Sequence, residues 1–183
     1  MTPITLMQEL GERISGIVSN YRMQESDGSH ELRAPRIWLQ HLPEKLYDDS
    51  VDPADFPFVL LILDQGIVDE RREGSCAIGI VVAGYDAGIL EGKVYDRQGW
   101  LLPAEMLWRI ITGLSTGPRI GGRYDLQYPI EWELPAQDVP SPHWFGVIRT
   151  TWTLPVPVQE FNHDMNYAPQ IPPRGGFSET IQT

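Results

Sequence analysis

One string in the chain is built like a catalytic motif: Gly113-Leu114-Ser115-Thr116-Gly117 is a literal G-x-S-x-G, with Asp125 or Asp138 and His143 or His163 downstream in hydrolase order. In hydrolases that serine rides a strained turn from a strand into a helix, whose N–H groups face the developing oxyanion. Here the surroundings run the other way. Leu107, Ile110, Ile111 and Leu114 match the i, i+3, i+4, i+7 helical template before the serine, and Pro118 with Gly121-Gly122 follows it. The string therefore reads as a helix end and exit turn, with a small serine hydrolase using Ser115 kept as the rival from another class.

Gly117 and Gly122 give G-x-x-x-x-G, but Arg123-Tyr124 stands where a phosphate loop needs Lys and then Ser or Thr. The segment also leads into strand-like sequence rather than a helix N-terminus, so nucleotide binding is not expected. His30, His41, His143 and His163 form no H-E-x-x-H pair. Asp48, Asp49, Asp52 and Asp55 lack the glycine and distal glutamate of a calcium loop, and read as a solvated charged loop; weak divalent binding at a subunit contact stays open. Cys76 is the one cysteine, which rules out an intrachain disulfide and a cysteine-based zinc site. The sequence predicts no cofactor, no dedicated metal and no catalysis.

Charge limits the partners. Fourteen basic residues against 25 acidic give a net charge of −11, with no long basic run. Affinity for phosphate backbones and anionic lipid comes from Lys and Arg, so neither direct nucleic-acid binding nor membrane attachment is expected, and a protein partner is. At 183 residues, 42% hydrophobic and 21% charged, the chain can build one domain that buries roughly 70% of its unfolded surface. Met1 to Gly16 has no signal-peptide pattern, and the longest apolar run, Phe56 to Leu63, falls far short of the roughly 20 residues that span a bilayer. The expected setting is the cytoplasm.

Two helices and several strands must position these residues. Thr2-Pro3 reads as a cap and first turn, with Met7, Leu10, Ile14, Ile17 and Tyr21 as the apolar stripe of a first helix. A second helix is expected from about Trp100 to Leu114. Pro35 to Leu42 alternates as a strand bearing His41, and Phe56 to Leu63 reads as a strand covered on both faces. Asp64 to Ser75 then forms a charged connection to a strand over Cys76 to Ala83, as a long charged hairpin, and Tyr124 to Leu134 and Trp144 to Leu154 are two further strands. In the first of these last two, Ile130, Trp132 and Leu134 form the inward set. The fold class is α+β: a mixed, mostly antiparallel sheet packed by two main helices, with one domain over residues 1–158 and an extended or disordered arm over 159–183, where prolines and Gly175-Gly176 gather.

Several separated blocks resemble the tail terminator, or tail-completion, proteins of tailed bacteriophages and prophages. They are Asp55-Phe56-Pro57-Phe58-Val59, Ala77-Ile78-Gly79-Ile80 behind a charged hairpin, Ile120-Gly121-Gly122-Arg123-Tyr124-Asp125-Leu126-Gln127, Pro129 to Pro135, and His143-Trp144-Phe145-Gly146-Val147 with Thr150-Thr151-Trp152. The resemblance implies a structural virion protein, assembled in the host cytoplasm and sited at the tail and neck. Such subunits form a ring, usually a homohexamer, that caps the tail tube, stops its elongation and offers a docking face to the head-completion proteins of the neck. The implied partners are further copies of the chain, the tail tube protein and a neck protein; another neck or tail-completion role is the near alternative. Loops and surface aromatics mediate most such joints, so the candidate interface residues are Asp69, Glu70, Arg71, Arg72 and Glu73 at the hairpin tip, with Trp100 and Trp144. Charge reversal at Arg71 and Arg72 is expected to impair assembly while the monomer stays folded, read by sedimentation and circular dichroism; normal assembly would remove the hairpin tip from the interface.

Overall fold

Thr2 caps the first helix, its hydroxyl accepting from the Thr5 N–H at 3.4 Å, and Pro3 supplies a preset φ at the first helical position, so α1 spans Pro3–Ile17. The computed structural model describes residues 2–19, 21–24, 30–43, 53–70, 73–86, 99–135 and 143–156. Leu6, Met7, Leu10 and Ile14 are buried as the periodicity requires, but Tyr21 is not on this helix. It opens β1 (Tyr21–Gln24), which pairs antiparallel with β2 (His30–Arg33) in a separate hairpin that the polar sequence there did not announce.

A six-stranded mixed sheet forms the body. Its strands are β3 (Arg36–Leu39), β4 (Phe58–Val68), β5 (Gly74–Tyr85), β6 (Arg119–Ile120), β7 (Tyr124–Glu133) and β8 (His143–Leu154), in the spatial order β3-β4-β5-β8-β7-β6. β3 pairs parallel with β4 and every other pairing is antiparallel. Between β5 and β7 lies α2 (Leu101–Thr116). β3 stops at Leu39 because Gln40 takes a φ of +66°, so His41 falls just past the strand, and exposed, rather than on its face.

Cys76, Ile78, Ile80 and Val82 alternate along β5, and with Val59 and Leu61 of β4, Ile148 and Trp152 of β8, and Tyr124 and Leu126 of β7 they form one core with both helices. Side chains on a strand alternate between faces, so both helices cover the same face. Each buried Leu or Ile there contributes roughly 1.5–3 kcal/mol. Thr150 is buried in the midst of this core, yet satisfied: it donates to the Ile78 carbonyl at 3.0 Å and accepts from the Trp152 indole at 2.9 Å.

The opposite face holds a smaller cluster at the β3 end, with Phe56, Phe58, Leu60 and Ala83 buried and Trp38 and Tyr85 packed against them. Phe58 to Leu61 are therefore covered on both faces, as the apolar run predicts. The same strand runs on to Val68, further than its sequence suggests. A register shift at Asp64 restarts the alternation, so the stretch read as a connection is strand up to Val68, and Asp69 and Glu73 close the turn through a 3.0 Å bond from the Asp69 N–H to the Glu73 carbonyl. Arg71 and Arg72, and the arm expected after residue 158, lie outside the described residues. No helix among the described residues is long and apolar enough to cross a membrane.

The β6–β7 turn is locked to α1. Gly121 and Gly122 have φ of +57° and +68°, the left-handed region glycine enters freely. The turn aims the Arg123 guanidinium at Glu9, 2.5 Å away, and a Cβ on Gly121 would fall on the Glu9 carboxylate. A Cβ on Gly122 meets open space. Gly122→Ala is therefore expected to lose about 1–2 kcal/mol, the left-handed strain alone, and Gly121→Ala more, with a further fall in Tm of roughly 2–4 °C per kcal/mol. Equal melting points for the two variants would contradict the clamp.

Candidate functional site

The hydrolase constellation does not assemble. Ser115 is exposed in the last turn of α2, not on a strand-to-helix turn. The two glycines of its motif have structural reasons: a Cβ on Gly113 would collide with Ile17 of α1, and one on Gly117 would meet the Arg13 guanidinium at 2.6 Å. Arg13 also donates to the Gly113 carbonyl at 3.4 Å. The neighbour of His143, Trp144, packs against Gly99 at the opposite end of α2. At 1.5 Å per residue that places Ser115 on the order of 20 Å from it. Asp125 bonds through its N–H to Thr153 at 2.8 Å, ten residues along β8 from His143, a separation on the order of 30 Å. Asp138 and His163 lie outside the described residues.

Asp125 is held by Arg119 through two bonds of 2.6 and 3.0 Å, which keep its carboxyl below the ordinary carboxylate value. The Ile120 to Gln127 block, which overlaps the G-x-x-x-x-G string, is a scaffold: Ile120 and Tyr124 buried, Gly121-Gly122 turning, Arg123 on Glu9, Asp125 on Arg119, and the Tyr124 hydroxyl donating to the Thr2 carbonyl at 3.4 Å. Asp48, Asp49 and Asp52 lie outside the described residues, while Asp55 is buried and bonded to Arg36 at 3.0 Å instead of solvated. Among the described residues no group of three or more His, Cys, Asp or Glu could hold a metal ion. The Cys76 thiol is buried and pushed up to about 11 by desolvation, which makes it a poor nucleophile.

What the molecule presents is aromatic surface. Trp100 precedes α2 and is 47% exposed, whereas Trp144 belongs to β8 rather than to a loop and buries its indole nitrogen without a hydrogen-bond partner. The most exposed tryptophans are two others, Trp108 at 61% and Trp132 at 53%. Trp132 does lie on the face that looks toward the helices, paired opposite Ile148, yet stays half exposed. The signal for Trp108 was its place one residue off the Leu107, Ile110, Leu114 stripe. Asp69, Glu70 and Glu73 are exposed around the hairpin turn.

His143 sits at the rim of the second cluster, stacked on Phe56 at 5.3 Å and edge-on to Tyr85 at 5.7 Å, with its Nε2 buried and unpartnered. Desolvation lowers its pKa below the ordinary 6.5. The unfolded chain then binds a proton that the folded chain refuses, so stability falls as pH drops through about 6.5. His143→Phe is expected to flatten that part of the stability-against-pH curve; an unchanged slope would place the imidazole in water. No family model matches the sequence, and no curated protein matches it either.

Proposed function

We propose that the chain is a non-catalytic virion assembly protein of the tail terminator kind, a ring-forming subunit that caps a tail tube, stops its growth and offers a face to the neck. The observation that carries this reading is the display of large apolar side chains on a small acidic domain. Trp100, Trp108 and Trp132 are each about half exposed or more, and Tyr128 is 63% exposed. Isolated surface apolar residues are ordinary, but buried Trp and Tyr supply most of the binding energy where proteins meet. The blocks that resemble tail terminators support the same reading, since Ile120 to Gln127 and Thr150 to Trp152 serve the scaffold and none of them needs a substrate.

The partners on this reading are other copies of the chain, six in a closed ring, then the tube protein and a neck protein, and the location is the virion tail. Acidic charge suits such a role by discouraging non-specific nucleic-acid binding during assembly. Negative-stain images of the purified chain across concentration, with and without magnesium, are expected to show closed rings with rotational symmetry. Particles that stay monomeric throughout would favour instead an adaptor that docks one partner through its tryptophans.

A further inference from the structure

The sheet ends unevenly. β3 pairs only with Phe58 to Leu61 of β4, and the Gln40 side chain stands in for a strand at Leu63, whose N–H donates to its amide oxygen at 3.0 Å. Beyond that point no strand among the described residues covers the outer edge of β4 from Gln65 to Val68, where Ile67 is 61% and Val68 60% exposed. At the other side of the sheet β6 covers only Tyr124 and Asp125 of β7. Past Pro129, which has no N–H to offer, and the register shift that ends at Glu131, the outer edge of β7 from Glu131 to Glu133 is likewise bare among the described residues, with Trp132 exposed and Tyr128 exposed just before it. An open, apolar strand edge is a template for another strand.

We infer that these two edges are the two halves of one head-to-tail interface between copies of this chain, the β7 edge of one copy adding to the β4 edge of the next. The inference rests on the ring reading above. The occupant is a second copy because the two edges are complementary in direction and in shape. β4 is antiparallel to β5, β5 to β8 and β8 to β7, so β4 and β7 run in opposite senses. A neighbour in the same orientation therefore brings β7 alongside β4 antiparallel, the pairing this sheet uses nearly throughout. Val68 also borders an apolar cavity of about 210 Å³, with Pro3, Tyr124, Leu154 and Val156. A cavity of about 150 Å³ accepts a benzene ring, so this one has room for the neighbour's Trp132 indole. The two edges are different surfaces of one subunit, and a contact between unlike surfaces makes rings when it closes rather than two-fold dimers.

Acidic residues flank both edges, Asp64 and Asp69 on one, Glu131 and Glu133 on the other, the last of them facing Arg149 at 3.6 Å. Their repulsion is screened beyond about 10 Å at 0.1 M salt, so added salt lowers the concentration at which copies associate.

The test is a complementation in sedimentation velocity. Ile67→Lys blocks one edge and Trp132→Lys the other, both at exposed positions that leave the core untouched; Val68→Lys and Tyr128→Lys repeat the experiment should either first variant unfold. Each variant alone is expected to sediment as a monomer, and their equimolar mixture as a dimer, because one intact contact remains between them. A mixture that stays monomeric overturns the inference, as does a wild-type chain that is monomeric at every concentration. Rings that persist in either single variant overturn the interface and leave the virion reading standing. Variants that complement to dimers, beside a wild type that forms open chains and never rings, keep the interface and remove the ring.

Discussion

The Glu9–Arg123 ion pair joins the first helix to the β6–β7 hairpin across 114 positions of sequence, at 2.5 Å. Both side chains are partly shielded, and each keeps one buried polar atom without a partner, Glu9 Oε2 and Arg123 Nε, so losing either residue would strand the other's charge. Two consecutive glycines take positive φ in the turn that carries Arg123, and Gly121 leaves the carboxylate its space. The pair adds a polar tie to the contact that Leu6, Leu10 and Ile14 make with the sheet, Ile17 packs against Gly113 of α2, and the two helices bury the same face. Both helices lie on one face, and the other carries the smaller cluster around Phe56 and Phe58.

The regular parts of this architecture were legible in the sequence. The periodicity of α1 and α2, the doubly covered start of β4, and the alternation of β7 and β8 all follow from where apolar residues recur, and the core is made of those residues. What the sequence hid was anything decided by a single backbone angle or a distant partner. The end of β3 depends on one positive φ at Gln40, and the length of β4 on a register shift at Asp64. The burial of Asp55 depends on Arg36, nineteen residues before it. The parallel pairing of β3 has no local signature at all.

Exposure and the role of single glycines were less legible than the fold, for a physical reason. Ser115 and the Gly117 to Gly122 spacing imitate catalytic loops because close helix contacts and tight turns demand the same glycines that catalytic loops demand. Exposure was the other gap: Trp132 obeys the inward alternation yet is 53% exposed between Ile130 and Leu134, which pack against the core, and alternation does not say how far that cover extends. Trp144, expected at the surface, packs against Gly99 instead.

Among the described residues no strand covers the outer edge of β4 beyond Leu63 or that of β7 beyond Asp125, and indoles stand exposed; the proposed assembly role rests on these features. Native mass spectrometry of the unmodified chain tests that claim most directly. The account predicts one closed stoichiometry, six copies, replacing monomer as concentration or salt rises, without a ladder of intermediate sizes. A chain that stays monomeric would contradict the assembly role, and one that grows as an unlimited ladder would contradict the closed ring.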